Sequence, residues 1–207
     1  MSLKDGALRR ALLDADINLP DGAPVAWAMS LTTGVRQSRL AGPTVMLEVL
    51  SRAREMGYRV VFYGSTEEVL RQLAERVIAG FPRIEIVDSI SPPFRPLTSA
   101  EDAEVCNRIR RARADVVLVG LGAPKQEKWM REHRSEFDAV MIGVGAGFDF
   151  NAGLVMRAPL WMQSMGLEWL HRLMQEPKRL SKRYVTTLPV FAWRIGRQML
   201  ARRLTRD

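Results

Sequence analysis

The chain has 207 residues, 47% hydrophobic and 26% charged, long enough to bury a sizeable core and too apolar for a disordered tail, a collagen-like repeat or a coiled-coil rod. One cysteine, Cys106, and two histidines, His133 and His171, exclude a disulfide framework, a multi-cysteine zinc site and a histidine-rich metal cage, and fit a reducing cytosol. Net charge is +8, yet residues 1–156 hold 20 Lys/Arg against 20 Asp/Glu while residues 157–207 hold 11 against 3, so the excess lies in the last quarter and points to an anionic partner there.

In chain order, residues 1–16 lack the apolar core of a secretion signal, and no later apolar run approaches the roughly 20 residues that span a bilayer. Asp14-Ala15-Asp16 superficially matches a pattern in which two carboxylates hold a divalent metal. It precedes its expected strand, the short apolar stretch around Ile17, instead of following it, and no metal site is expected. Leu19-Pro20-Asp21-Gly22 then places a carboxylate in a tight turn. Such a group, exposed and rigidly held, can accept a proton from a hydroxyl nucleophile; Asp-Gly also favours turns for backbone reasons alone. Arg39 stands shortly before a helix start, where its forked donors can grip a diphosphate or simply be solvated.

The body then alternates. Residues 44–56 set Leu47 and Leu50 on one helical face, and Val60-Val61-Phe62-Tyr63 runs into Gly64-Ser65. Residues 66–79 repeat Val69, Leu70, Leu73 and Val77 at helical spacing, and Ile84-Glu85-Ile86-Val87 reads as a strand. After a surface connection at Pro92-Pro93-Phe94-Arg95-Pro96, residues 99–112 form a helix with an acidic first turn and with Val105, Cys106 and Ile109 inside. Val116-Val117-Leu118-Val119 before Gly120, and Val140-Met141-Ile142 before Gly143, complete the pattern. Continuous apolar runs bounded by turn residues are the habit of strands covered on both faces. The expected fold is α/β, a doubly wound, mainly parallel, Rossmann-like sheet with sites at the carboxyl ends of its strands.

Two glycine-rich segments sit at those ends. In Gly120-Leu121-Gly122-Ala123-Pro124-Lys125-Gln126, small residues let the backbone approach a phosphate, and a helix from near Pro124 offers N–H groups. It is neither the dinucleotide fingerprint, which needs a third glycine, nor a P-loop, which ends in Gly-Lys-Ser/Thr. In Gly143-Val144-Gly145-Ala146-Gly147-Phe148-Asp149 the glycines admit either a ligand or close strand–helix packing, and Asp149 can bind a sugar hydroxyl or cap locally. His133 and His171 lack a partner nucleophile, and packing or surface roles are expected for both. Beyond Asn151 the texture changes, and residues 189–204 space Phe191, Ile195 and Met199 four apart among arginines, a basic amphipathic helix suited to an anionic lipid surface or to packing on its own domain. Two parts are expected: residues 1–156 as the α/β body and residues 157–207 as a basic helical appendage. Nucleic-acid binding finds no helix-turn-helix, RNA-recognition motif or interleaved stacking aromatics to support it.

Several blocks in order resemble the WecG/TagA/CpsF glycosyltransferases of bacterial cell-surface polysaccharide synthesis: Pro20-Asp21-Gly22, Arg39 with Gly42, Tyr63-Gly64-Ser65, the run from Gly120 to Trp129, Gly143-Val144-Gly145, Phe148-Asp149, Arg157-Ala158-Pro159, and Gly166-Leu167-Glu168-Trp169-Leu170-His171-Arg172-Leu173 with Glu176-Pro177. The resemblance implies a metal-independent, inverting transfer, without a cofactor, from a UDP-sugar to a polyprenyl-diphosphate-linked saccharide at the inner face of the bacterial cell membrane. The donor sugar is left as N-acetylmannosamine, its uronic acid or a hexose, and homo-oligomer formation is left open. Asp21 looks like the family's general base, Arg39 like its diphosphate arginine and Gln126 like its active-site glutamine. Gly22, Gly64, Ser65, Gly120, Gly122, Lys125, Gly145 and Asp149 would line the substrate site of a nucleotide-sugar-binding body, with Arg172 and Arg179 closing over it from a membrane-associating appendage. Lys182 stands where the family is expected to carry an arginine. The resemblance also implies a further segment ahead of Met1, including a strand that ends in an active-site loop. A catalytically inactive nucleotide-binding or scaffolding relative is the alternative.

Overall fold

In the computed structural model, which describes residues 5–175, 177, 181, 185–186, 189–191, 193 and 195–197, the β-branched runs pair as four parallel strands: β1 (Arg59–Gly64), β2 (Glu85–Ile90), β3 (Val116–Gly120) and β4 (Val140–Gly143). Their order is β2-β1-β3-β4. The chain therefore leaves β1 toward one side, forms β2, and returns across β1 to form β3 and β4 on the other. That reversal places a topological switch point between β1 and β3, and its mouth is at Gly64 and Gly120, which are register partners.

Helices cover both faces, as the expected doubly wound sheet requires. On one face α3 (Gly42–Met56), α4 (Glu67–Gly80) and α7 (Gly147–Asn151) bury Met46, Leu50, Leu73, Val77, Phe148 and Ala152 against Val60, Phe62, Val116 and Leu118. On the other α5 (Ser99–Arg111) and α6 (Lys125–Glu132) bury Val105, Ile109 and Trp129 against Val61, Tyr63, Val117 and Val119. Alternate residues of β1 and β3 thus feed opposite cores, and each large side chain removed from water contributes about 1.5–3 kcal/mol. Helix starts follow their caps. Thr66 accepts from the Val69 N–H at 3.3 Å, and Thr98 and Glu101 form a reciprocal capping box. Arg95 beside Glu101, with the Thr98 backbone N–H, holds the Glu101 carboxyl down at about 2.

Two helices were not expected, α1 (Gly6–Asp14) and α2 (Ala23–Thr33). The expected strand near Ile17 is absent: residues 15–22 are irregular, and Ile17 is 76% exposed. Three apolar residues ahead of Pro20 neither bury a face nor find a pairing neighbour. Asp14 ends α1 and pairs with Arg131 at 2.6 Å, while Asp5 caps α1 and pairs with Lys128 at 2.7 Å. Both cations belong to α6, so two ion pairs tie α1 across it.

By internal contacts the chain forms two compact units. One is the α/β body, whose described residues run from Asp5 to Asn18 and from Ala41 to Met156. The other joins Leu19–Leu40 to the part from Arg157 onward, so α2 clusters with α8 (Leu160–Ser164) and α9 (Glu168–Gln175) and not with the body to which its sequence position assigned it. Beyond α9 the described positions 177, 181, 185–186, 189–191, 193 and 195–197 are helical. Of the expected residue 189–204 stripe, Phe191 and Ile195 are described, whereas Met199 lies outside the described residues. No helix among the described residues is long and apolar enough to cross a membrane.

Candidate active site

The carboxyl edge of the body is built around glycines. A Cβ on Gly64 would stand 2.6 Å from the Gly120 carbonyl carbon and 2.9 Å from the Leu121 nitrogen, so β1 and β3 approach there as only glycine allows. Gly120 in turn accommodates the Phe148 ring, and Gly143 the Gln126 amide, whose Nε2 would lie 2.8 Å from an added Cβ. These glycines serve internal packing. Gly122, at φ 77°, has nothing within 4 Å of such a Cβ, so its backbone conformation and not packing favours glycine there. Ser65 holds a positive φ of 62°, a conformation costly for a residue with a Cβ, and the Ser91 hydroxyl donates to its carbonyl at 2.8 Å. Backbone strain of about 1–3 kcal/mol is thus held at the carboxyl end of β1.

Gln126 is 93% buried at the start of α6. Its Nε2 donates to Glu127 Oε1 at 3.0 Å, and its Oε1 lies 3.6 Å from where a Gly145 Cβ would be. Gln126 Oε1 and Glu127 Oε2 are buried without a hydrogen-bond partner among the described residues. A native fold leaves few such acceptors unpaired, so hydrogen-bond donors on a ligand are their natural complement. Lys125 is exposed, and Asp149 sits half-buried on α7.

The second unit assembles the other group. Asp21 is exposed immediately before Gly22, whose φ of 94° opens α2. The Asp21 N–H donates to the Leu19 carbonyl at 2.9 Å, and the Leu40 N–H donates to the Pro20 carbonyl at 3.1 Å, lacing the Arg39 segment to the Asp21 turn. The Arg39 guanidinium pairs with Glu168 at the start of α9, with side chains 18% and 10% exposed. A guanidinium carries five donors, so Glu168 fixes its plane without exhausting it. Arg172 lies one turn along α9 from Glu168, on the same face. Gly166 in the turn before α9 sits against Ala23, leaving 2.8 Å for an added Cβ.

Residues 1–205 match the model of the glycosyl transferase WecG/TagA/CpsF family. The chain belongs to this family. It is 34% identical over 192 residues to an N-acetylglucosaminyldiphosphoundecaprenol N-acetyl-beta-D-mannosaminyltransferase of Bacillus subtilis (strain 168), an alignment spanning 92% of the chain and 72% of that relative. It is 35% identical over 183 residues to a protein of the same description from Bacillus spizizenii (strain ATCC 23059 / NRRL B-14472 / W23), spanning 86% and 69%.

Among the residues singled out for WecG/TagA/CpsF glycosyltransferase activity, the structure gathers Gly64, Ser65, Gly120, Gly122, Lys125, Gln126, Gly145 and Asp149 in the α/β unit, and Asp21, Gly22, Arg39 and Arg172 in the other. Arg179 and Lys182 lie outside the described residues. Two carboxylates that stand in the family blocks were given no role in the sequence. Glu127 and Glu168 each bind a candidate site residue, Gln126 and Arg39 respectively. Adjacency to Gln126 was the available signal for Glu127; for Glu168 it was its place in the Gly166–Leu173 block, while nothing signalled its pairing with Arg39, 129 positions away. His133 is buried, 2.8 Å from both the Trp129 carbonyl and Asp102 Oδ2, and stacks on Trp129. Burial pushes the Cys106 thiol up, consistent with a packing role.

Proposed function

We propose that the protein transfers N-acetylmannosamine from UDP-N-acetylmannosamine to N-acetylglucosamine carried on a polyprenyl diphosphate, with inversion and without a metal ion. The observation that carries this reading is the 34% identity, over 92% of the chain, to an enzyme of that description; the fold alone does not choose a chemistry. Asp21 accepts the proton of the acceptor hydroxyl, whose oxygen forms a bond to the anomeric carbon. The bond from that carbon to the diphosphate oxygen breaks, and UDP leaves with the electron pair. Charge growing on UDP must be met by fixed donors, the role assigned to Arg39 and Arg172. The Asp14-Ala15-Asp16 pattern does not compete for a metal role, because Asp14 is bound to Arg131. Incubation with UDP-N-acetylmannosamine and a lipid-diphosphate N-acetylglucosamine should release UDP and lengthen the acceptor by one sugar in the presence of EDTA. Activity lost in EDTA and restored by magnesium or manganese would remove the metal-independent mechanism, and UDP binding without turnover would favour an inactive relative.

The same reading puts the protein on the inner face of the cell membrane. The part from residue 157 onward carries 11 Lys/Arg against 3 Asp/Glu, and Trp161, Met165, Met174 and Trp193 are each more than half exposed. Cations near an anionic bilayer contribute about 1 kcal/mol each, so Arg197→Gln, Arg202→Gln and Arg203→Gln together should weaken binding to phosphatidylglycerol vesicles about a hundredfold. Unchanged sedimentation with the vesicles would show that the basic stretch is not the anchor.

A further inference from the structure

Gln126 and Glu127 are adjacent on the first turn of α6, and adjacent helical side chains ordinarily diverge. Here they are hydrogen-bonded, Gln126 Nε2 to Glu127 Oε1 at 3.0 Å. A carboxylate offers only acceptors, whereas a carboxamide has one donating and one accepting edge. Glu127 therefore decides which way the amide faces: the NH2 group turns to the carboxylate, and Oε1 is left toward Gly145. Without the carboxylate, a half-turn of the amide would exchange the edges at little cost. Gly143 and Gly145 preserve the space, since a Cβ at Gly143 would lie 2.8 Å from Nε2.

Resting on the reading above, we propose that Glu127 is a positioning residue that fixes the polarity of Gln126, so that this part of the carboxyl edge accepts hydrogen bonds from the donor sugar. The complementary ligand group is a hydroxyl or an acetamido N–H. A phosphate oxygen is the wrong complement, because Gln126 Oε1, buried and without a partner among the described residues, is itself an acceptor. The pair therefore leaves the diphosphate to other groups. Ribose hydroxyls and the uracil N–H are donors as well. A loss of affinity shared by UDP that the exchange variant described below recovers would assign the pair to the uridine and overturn its assignment to the sugar.

The test compares affinities for UDP-N-acetylmannosamine and for UDP, which lacks the sugar, by calorimetry on the full chain. Glu127→Gln removes the polarity lock with little change of shape. It should lower the advantage of the nucleotide sugar over UDP about tenfold, the scale of one hydrogen bond, with UDP affinity unchanged. The exchange variant Gln126→Glu with Glu127→Gln restores an amide donating to a carboxylate and again leaves an acceptor beside Gly145, so it should recover most of the lost preference. A purely structural role for Glu127 would weaken both ligands together and show no such recovery. If the unaltered chain prefers the nucleotide sugar and Glu127→Gln keeps that preference, the positioning role is overturned while the functional reading stands. If the unaltered chain does not distinguish the two ligands, both fall.

Discussion

Asp21→Asn should abolish sugar transfer, cutting turnover by about 10²- to 10⁴-fold, the contribution of a positioned general base, while UDP affinity stays largely intact. Asparagine has nearly the same shape, and the surrounding turn is held by backbone groups: the Asp21 N–H to Leu19, the Leu40 N–H to Pro20, and Gly22 at φ 94°. None of these needs the carboxylate charge. The neutral amide cannot take the acceptor proton, so the oxygen would have to attack while still protonated. Transfer rates measured beside UDP titration and thermal unfolding separate the effects. Unchanged turnover in a folded variant would remove Asp21 from the mechanism.

The largest effect on stability is expected at the switch point. Gly64→Ala places a methyl group 2.6 Å from the Gly120 carbonyl carbon and 2.8 Å from its oxygen, with φ at 125°. Both neighbours are backbone atoms of a central strand and cannot swing aside as a flexible side chain would. Backbone strain of about 1–3 kcal/mol and overpacking of about 1–3 kcal/mol add to roughly 2–6 kcal/mol. At about 2–4 °C per kcal/mol for a chain of this size, Tm should fall by on the order of 10 °C. Gly122→Ala is the control, since its φ of 77° is unfavourable but nothing stands within 4 Å of the new atom. It should cost about 1–2 kcal/mol. Equal losses in thermal unfolding would mean that the close approach of β1 and β3 is unimportant.

The sheet was legible because Val60–Tyr63 and Val116–Val119 are unbroken apolar runs closed by glycine, a pattern with few other uses. Helices α3, α4 and α5 announced themselves through apolar residues at helical spacing opposite a charged face. Helix α2 did not, because Ala-Pro-Val-Ala-Trp-Ala-Met-Ser-Leu-Thr-Thr contains no charged residue and thus no contrast between faces. Its buried Ala26 and Ala28 are defined by packing that a local reading does not contain. Ile17 misled in the opposite way: a short apolar stretch suggested a strand, yet Ile17 is 76% exposed and pairs with no strand among the described residues. At the site, glycines and charged residues identified the segments, and family blocks supplied roles for Asp21, Arg39 and Gln126. What those side chains bond to was hidden. Arg39 reads as a solvated cation until Glu168 is seen beside it, and Gln126 carries no sign of which edge it presents until Glu127 is placed.

The unit containing Asp21, Arg39 and Glu168 is discontinuous, drawn from Leu19–Leu40 and from the part beyond Arg157, with the whole sheet encoded between. A gene exchange with one breakpoint after Met156 would replace Glu168 and Arg172 but leave the Asp21 turn and Arg39 from the other parent. Such a chimera would pair a guanidinium from one lineage with a carboxylate from another. Swapping that module intact takes a double crossover, because more than a hundred codons separate its two halves.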